Sequence, residues 1–436
     1  MDETKGVTMR PVTTNVSVCF ALVAAAAMLL AGCGEGDDDA TIERGSGNIR
    51  VVSLDDAPAV PQVVDDTRIL GLQALASRPG ETLVTSPAST VIALSMLGTG
   101  ASGPAEEELS LLIGASGEDR DSAVNALVAT LDPYLADPSD IDPDELPDQP
   151  QLHVANQAVI DDSASIEQSY LDNLVTWFDA GVLHADLAGA AGKKALDQWI
   201  ETNTAGLIKE SAIEPSEDLR LVLQNAILFA APWTTPFDAD STYSDEFTKD
   251  DGTTVSAEFM HDERQAQYAE HDGWKMIRMS YGTEGDLSAE YVLPPAGTGL
   301  EEITSADIAA LEKQLSSESV RITIPKLDLS SSLELVPALQ KAGLHSVFEP
   351  GASALEHISA SDDLYVSQVT QQGKFVLDEE GTVAAVTTEI GMESAAAPDP
   401  VKPKEFTADR PHLIVIQDTE VGWDLFQIAA NDPTAE

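Results

Sequence analysis

Helical periodicity dominates this chain up to residue 208, and strand periodicity takes over from residue 219. That order excludes an alternating βαβ sheet and predicts an α+β fold. Apolar spacing predicts helices over 66–76, 87–97, 106–113, 122–131, 166–178 and 194–208. A strand is expected over 153–160, and a long apolar run over 219–229 reads as a buried strand. Short strand-like pieces follow around Phe247 and over 255–259, 274–280, 289–293, 320–324, 364–377, 413–418 and 423–429. One helix interrupts them at 333–342, with Gly343 as its C-cap residue. Residues 132–151 hold Pro133, Pro138, Pro143, Pro147 and Pro150 among many aspartates and read as an exposed loop. No fixed-period repeat is present.

This fold must hold without a disulfide. The two cysteines, Cys19 and Cys33, lie in or beside one apolar stretch, residues 16–31. Arg10 precedes the stretch and small residues close it, the pattern of a cleaved signal peptide. Ser17, Cys19 and the alanines make it weakly hydrophobic, and it is marginal in length for a membrane span. Translation from Met9 would omit Asp2 and Glu3, which suit a signal n-region poorly. Leu30-Ala31-Gly32-Cys33 resembles the bacterial lipobox, whose cysteine becomes the lipidated mature N-terminus. Ordinary signal cleavage nearby is the competing reading. Cleavage removes Cys19 and leaves no second thiol to pair.

The expected organisation is a lipoprotein signal peptide over 1–32, a lipidated N-terminus and flexible tether over 33–65, and a folded domain over 66–436. Gly34-Glu35-Gly36-Asp37-Asp38-Asp39, then Pro58 and Pro61, suit a solvated tether. Gly34 follows the cysteine where an aspartate resembles an inner-membrane retention signal. Export to the outer membrane or cell surface is therefore expected. Against 23 Lys+Arg stand 75 Asp+Glu, a net charge of −52. That balance excludes a general nucleic-acid binder and disfavours adhesion of the folded surface to anionic lipid.

Several chemical motifs fail on their details. Gly98-Thr99-Gly100-Ala101-Ser102-Gly103 matches G-x-G-x-x-G, but Glu106-Glu107-Glu108 follow and would repel a pyrophosphate. A glycine-rich turn between helices is the expected alternative. Asp140, Asp142 and Asp144 alternate like a calcium loop, yet Glu145 stands where the turn needs Gly and Gln151 where a bidentate Glu is needed. The seven histidines show no zinc spacing, and no G-x-S-x-G occurs. No cofactor, metal or catalytic constellation is expected, so the chain reads as something other than an enzyme.

One segment is ambivalent in a useful way. From Glu379 to Met392, Thr382, Ala384, Val386, Thr388, Ile390 and Met392 form one uncharged face at period two. Val383, Ala385, Thr387, Glu389, Gly391 and Glu393 form the other. The pattern suits a strand with one buried face, yet it leads into Ala395-Ala396-Ala397-Pro398-Asp399-Pro400, a loop. An edge strand followed by a loop would explain it, and so would a conformational switch.

Here the chain resembles the serpin family, from about Asp66 to Pro433. Ser86-Pro87-Ala88-Ser89 with Leu94-Ser95-Met96-Leu97-Gly98, then Ala155-Asn156-Gln157-Ala158, carry the resemblance. So do the segment from Trp199 to Ile208, Leu223-Gln224-Asn225-Ala226-Ile227-Leu228-Phe229 with Trp233 and Pro236-Phe237, Ile324-Pro325-Lys326, and Phe406-Thr407-Ala408-Asp409-Arg410-Pro411. The lysine usual before Trp233 is missing. His412 stands where Phe is usual, Gln371 at the shutter histidine position, and Asp197 where Asn is usual.

The resemblance implies helices packed on a large central sheet, two smaller sheets and an exposed reactive-centre loop, about 379–405. It implies a protease inhibitor that works as a suicide substrate and a covalent one-to-one complex with a serine, or cysteine, protease. The inhibitor is expected to be a monomer. The implied hinge is Glu379, Glu380, Gly381, Thr382, Val383, Ala384, Ala385, Val386, Thr387 and Thr388, with Thr382, Ala384 and Val386 facing inward during entry. Ser86, Ser89, Asn225 and Gln371 form the implied shutter, and Trp233 marks the breach. Counting seventeen residues from Glu379 puts the reactive bond between Ala395 and Ala396. Counting back from Pro411 lands near Pro400, and Met392 and Ser394 are secondary candidates. Alanine at the primary position suits an elastase-like or subtilisin-like pocket. The competing function is a non-inhibitory serpin used as a binding module or chaperone.

Overall fold

The structure is a computed structural model that describes residues 41–141, 146–283, 285–359, 364–382 and 402–435. Elements are numbered along the chain. The helices among these residues are α1 (Val60–Leu75), α2 (Pro87–Gly98), α3 (Pro104–Ile113), α4 (Gly117–Thr130), α5 (Gln168–Phe178), α6 (Ala190–Asn203), α7 (Ser305–Glu312) and α8 (Val336–Lys341). A seven-stranded sheet runs in the order β1 (Thr41–Glu43), β4 (Val182–Ala185), β3 (Gln151–Asp161), β5 (Leu221–Pro232), β13 (Gly381–Thr382), β12 (Val366–Leu377), β11 (Leu327–Glu334). A nine-stranded sheet runs β14 (Lys404–Thr407), β10 (Ser316–Pro325), β7 (Thr254–His271), β8 (Trp274–Ser280), β9 (Leu287–Leu293), β15 (His412–Asp418), β16 (Trp423–Ala430), β2 (Leu83–Thr85), with β6 (Thr242–Thr248) beside β7. The two smaller sheets expected are joined into this one because β7 is 18 residues long. Its start pairs with β6, its end with β8, and β10 spans its middle.

Every residue of α2 is buried, which its apolar and small side chains permit on all sides. Ser86 caps it by accepting from the Ser89 N–H at 3.3 Å, and Pro87 occupies the first turn, where no N–H is needed. α2 packs against β3 and β5 of one sheet and β16 of the other, so it is the floor on which the large sheet rests. The glycine-rich stretch after it is a turn into α3, with a helix rather than a strand before it. Gly100 is needed for packing, since a Cβ there would lie 2.1 Å from Ile358 Cγ1.

The structure corrects several expectations. Residues 41–65, expected within the tether, are part of the fold: β1 pairs antiparallel with β4, and α1 begins at Val60 rather than 66. A free sheet edge supplies the backbone partners that a tether lacks. The helix expected at 333–342 starts at Val336, because Leu327, Leu329, Ser331 and Leu333 alternate inward as β11. The loop 132–151 is not wholly exposed, since Ile141 is buried against Leu228 and Ala230 of β5. Asp142, Asp144 and Glu145 lie outside the described residues.

Candidate functional site

Between β5 and β12 the large sheet is both tied and split. Direct parallel pairing runs from Val366 opposite Leu221 to Gln372 opposite Ala226. In its middle Gln371 faces Asn225 and turns its amide onto the start of α2. Gln371 Oε1 accepts from Thr85 Oγ1 at 2.8 Å and from the Ser86 N–H at 2.7 Å. Its Nε2 donates to Ser86 O at 2.9 Å, Asn225 Oδ1 at 3.0 Å and Thr90 Oγ1 at 3.3 Å. Asn225 Nδ2 donates to Asn156 Oδ1 at 2.5 Å and to Ser89 Oγ.

The four polar residues singled out from the sequence therefore meet in one buried network spanning β5, β12 and the α2 cap. Thr85, Thr90 and Asn156 complete it and were not singled out, although Asn156 stands in one of the recognised motifs. Glutamine carries no titratable proton, so this centre cannot gain charge as an imidazole would.

Above Ala226 the two strands separate, and the chain leaving β12 comes back between them. Asp378 turns it: its carboxylate accepts from the Glu380 N–H at 3.0 Å and the Gly381 N–H at 3.2 Å. Gly381 and Thr382 then form β13, antiparallel to Pro232 and Ala231 of β5, with Thr382 also opposite Leu377 of β12. Gly381 must be glycine in this seat, since a Cβ would lie 2.2 Å from Ala231 O. Thr382 is 1% exposed and shares a hydrogen bond of 2.7 Å with the Tyr281 hydroxyl. The expectation that Thr382 travels from solvent into the sheet during insertion is thus corrected: it is already inside. The gap between the diverging strands offers unpaired backbone groups that two hinge residues can satisfy.

Trp233 closes the top of the gap. Its ring stacks on Tyr281 at 4.4 Å, its indole N–H donates to Asp378 O at 3.0 Å, and its backbone N–H donates to Glu380 O at 2.8 Å. Glu379 is held beside it, accepting from Lys326 Nζ at 2.7 Å and Thr242 Oγ1 at 2.6 Å. Burial pushes the Glu379 carboxyl up, but those hydrogen bonds outweigh burial and hold it below its ordinary value. In the stretch from Phe229 to Trp233 where the usual lysine is missing, Ala230 and Ala231 are both buried, and Ala231 pairs with Thr382 through its backbone.

The other departures have structural roles. Asp197 accepts from Lys193 Nζ at 2.5 Å and the Ser211 N–H at 2.7 Å. His412 is fully buried among Tyr291 and Phe247; its Nδ1 meets Arg410 O at 2.9 Å, and its Nε2 finds no partner among the described residues. Burial pushes its pKa down to about 4. Val383, Ala384, Ala385, Val386, Thr387, Thr388, Met392, Ser394, Ala395, Ala396 and Cys33 lie outside the described residues. Among the described residues no group of side chains could hold a metal ion, and no helix is long and apolar enough to cross a membrane.

The comparisons agree with this geometry. A family model described as serpin (serine protease inhibitor) matches residues 70–433. Serpin-ZXA of Oryza sativa subsp. japonica is 31% identical over 364 residues, covering 80% of this chain and 89% of its own. Serpin-Z7 of Hordeum vulgare is 30% identical over 355 residues, covering 78% and 87%. Among solved structures, the thermophilic serpin tengpin in its native state superposes with a TM-score of 0.77 at 19% identity, covering 90% of this chain and all of that one. Human thyroxine-binding globulin gives 0.73 at 21% identity, covering 87% and 99%.

Proposed function

The chain belongs to the serpin family, and from that premise we propose that it inhibits proteases as a suicide substrate. The target's serine, or cysteine, nucleophile attacks the Ala395 carbonyl. The Ala395–Ala396 bond breaks, Ala396 leaves with a new amine, and Ala395 remains as an acyl ester, or thioester, on the protease. The freed segment then extends β13 downward between β5 and β12. Thr382 is the first rung, and Ala384, Val386 and Thr388 follow on the inward face. Each added pair replaces one rung of the β5–β12 ladder, and the bonds from Gln371 and Asn225 to one another must break for the strands to part. Insertion carries the acylated protease along before water can release it.

The observation that supports this reading is β13 itself, two residues of the hinge seated between strands that pair directly farther down. The uncharged inward face that follows supports inhibition over a non-inhibitory binding role, because a charge there would oppose entry. Alanine at the attacked position suits an elastase-like or subtilisin-like target. A denaturing gel against a small protease panel tests the proposal: an inhibitor gives a covalent one-to-one band. Cleaved loop without that band would reject it in favour of the binding-module reading.

The inhibitor acts as a monomer on the outer side of a membrane, held by lipid on Cys33. Support for the anchor is the Leu-Ala-Gly-Cys ending of the apolar stretch. Several acyl chains anchor stably where one does so only marginally. Cys33→Ser should move the protein from the membrane fraction to the soluble one; a variant that still sediments with membranes rejects the anchor.

A further inference from the structure

The chain between the proposed anchor and α1 is built onto the body in an unusual way. Beyond β1, the Ser46 N–H donates to Asp172 Oδ1 at 2.8 Å and the Arg50 N–H to Thr176 O at 2.8 Å. Asn125 of α4 clasps the next turn of backbone, donating to Arg50 O at 3.1 Å and accepting from the Val52 N–H at 2.9 Å. Arg44 pairs with Asp179, and the Arg50 guanidinium lies 4.7 Å from the Trp177 ring centre. Gly45 permits the close approach, since a Cβ there would sit 2.4 Å from Asp172 N. Backbone and cations thus face inward onto α4, α5 and β4.

Three of the four large apolar side chains in residues 41–52 do the opposite, while Val52 packs against the core. Six large hydrophobic residues are exposed among the described residues, and three of them fall in this short strap: Ile42 at 53%, Ile49 at 42% and Val51 at 56%. Scattered exposed hydrophobics need no explanation, but half of them within residues 42–51 do. Residues 41–52 also carry Arg44 and Arg50 against Glu43 alone, in a chain whose net charge is −52. The strap itself thus adds no net negative charge that would repel anionic lipid.

We propose that residues 41–52 form a membrane-facing edge, with Ile42, Ile49 and Val51 resting in the lipid headgroup region. The proposal rests on the Cys33 anchor proposed above. Seven residues lie between Cys33 and Thr41, so eight Cα–Cα steps give a reach of at most about 28 Å at full extension. The lipid therefore keeps this edge near the bilayer, and the strap's bonds pass that placement to the body. The large sheet then stands edge-on to the membrane. Four strand spacings separate β1 from β13, so the hinge lies about 19 Å farther from the lipid than the strap does. Such a pose leaves the gap between β5 and β12 accessible to a protease in solution.

An environment-sensitive dye on Val51→Cys tests this. The lipidated full-length protein is placed on vesicles of phosphatidylethanolamine and phosphatidylglycerol, with Leu111→Cys, at an 84% exposed site on α3, as control. Ile49→Cys repeats the measurement should Val51→Cys fold poorly. On vesicles the dye at 51 or 49 should shift to the blue and resist quenching by aqueous iodide, while the dye at 111 stays in water. In the unlipidated Cys33→Ser background both sites should report water. A protein that sediments with vesicles yet keeps the strap dye in water overturns the proposal and leaves the anchor standing. A wild-type protein that does not sediment overturns the anchor and the proposal with it. A strap dye shielded without vesicles, in a protein that runs as a dimer, assigns the patch to a second copy and also overturns it.

Discussion

Lys326 Nζ lies 2.7 Å from the Glu379 carboxylate, tying the end of β10 to the turn that feeds the hinge into the large sheet. Thr242 Oγ1 takes the other carboxylate oxygen, so both oxygens are engaged on the nine-stranded sheet. The pair links the two sheets at the point where the reactive loop departs.

Glu379→Gln should therefore loosen the hinge. A charge-assisted hydrogen bond to a partly buried carboxylate contributes about 1–2 kcal/mol once the exposure of Lys326 is discounted. The denaturation midpoint should fall accordingly. The wild-type advantage has a sign in pH: the folded Glu379 pKa is depressed, so the contribution is present above about 4.5 and is lost as pH falls below it. Equal midpoints for wild type and Glu379→Gln at pH 7 would show that the pair does not hold the hinge.

Thr382→Arg should turn the inhibitor into a substrate. The side chain sits against the Tyr281 hydroxyl in a seat with no room or partner for a guanidinium. Two residues of hinge should be expelled, and later insertion must bury the charge or begin without this rung. A barrier increase of about 1.4 kcal/mol slows insertion tenfold while the protease's deacylation is unchanged. The expected gel shows cleavage at the same bond with little covalent complex, and Thr382→Ser should behave as wild type. Undiminished complex from Thr382→Arg would falsify this hinge as the inserting element.

Ala395→Arg should redirect the inhibitor toward trypsin-like proteases, whose primary pocket requires a cation. Mass spectrometry of the cleaved loop should place the wild-type cut between Ala395 and Ala396. A dominant cut near Pro400 would mean that counting from the hinge misplaces the bond.

His412→Phe should protect against acid. The buried imidazole titrates near 4, whereas the unfolded chain binds that proton near 6.5. Wild-type stability should thus fall as pH drops from about 6.5 toward 4, by roughly 3 kcal/mol. Glu290, pushed up to about 7 chiefly by burial, contributes the opposite slope, so the difference between wild type and variant isolates His412. Melting temperatures that diverge on acidification, with the variant higher, are expected; parallel curves would exclude the histidine.

Much of this was legible along the chain. α2 and the strands around β12 and β15 are long enough to carry a period, and Ser86, Ser89, Asn225 and Gln371 stand in recognisable motifs. Their meeting is another matter. Gln371 Oε1 accepts from a backbone N–H 285 residues away, at Ser86, and no local pattern encodes that distance. β1 and β13 are three and two residues long, too short for periodicity to register. They exist because β4 has a free edge and because β5 and β12 diverge, leaving donors and acceptors that only the assembled sheet exposes. Alternation could say which face of the hinge carries Thr382. Whether that face had already entered the sheet was decided by the gap under Trp233, by Gly381 fitting against Ala231 O, and by the Tyr281 hydroxyl waiting inside.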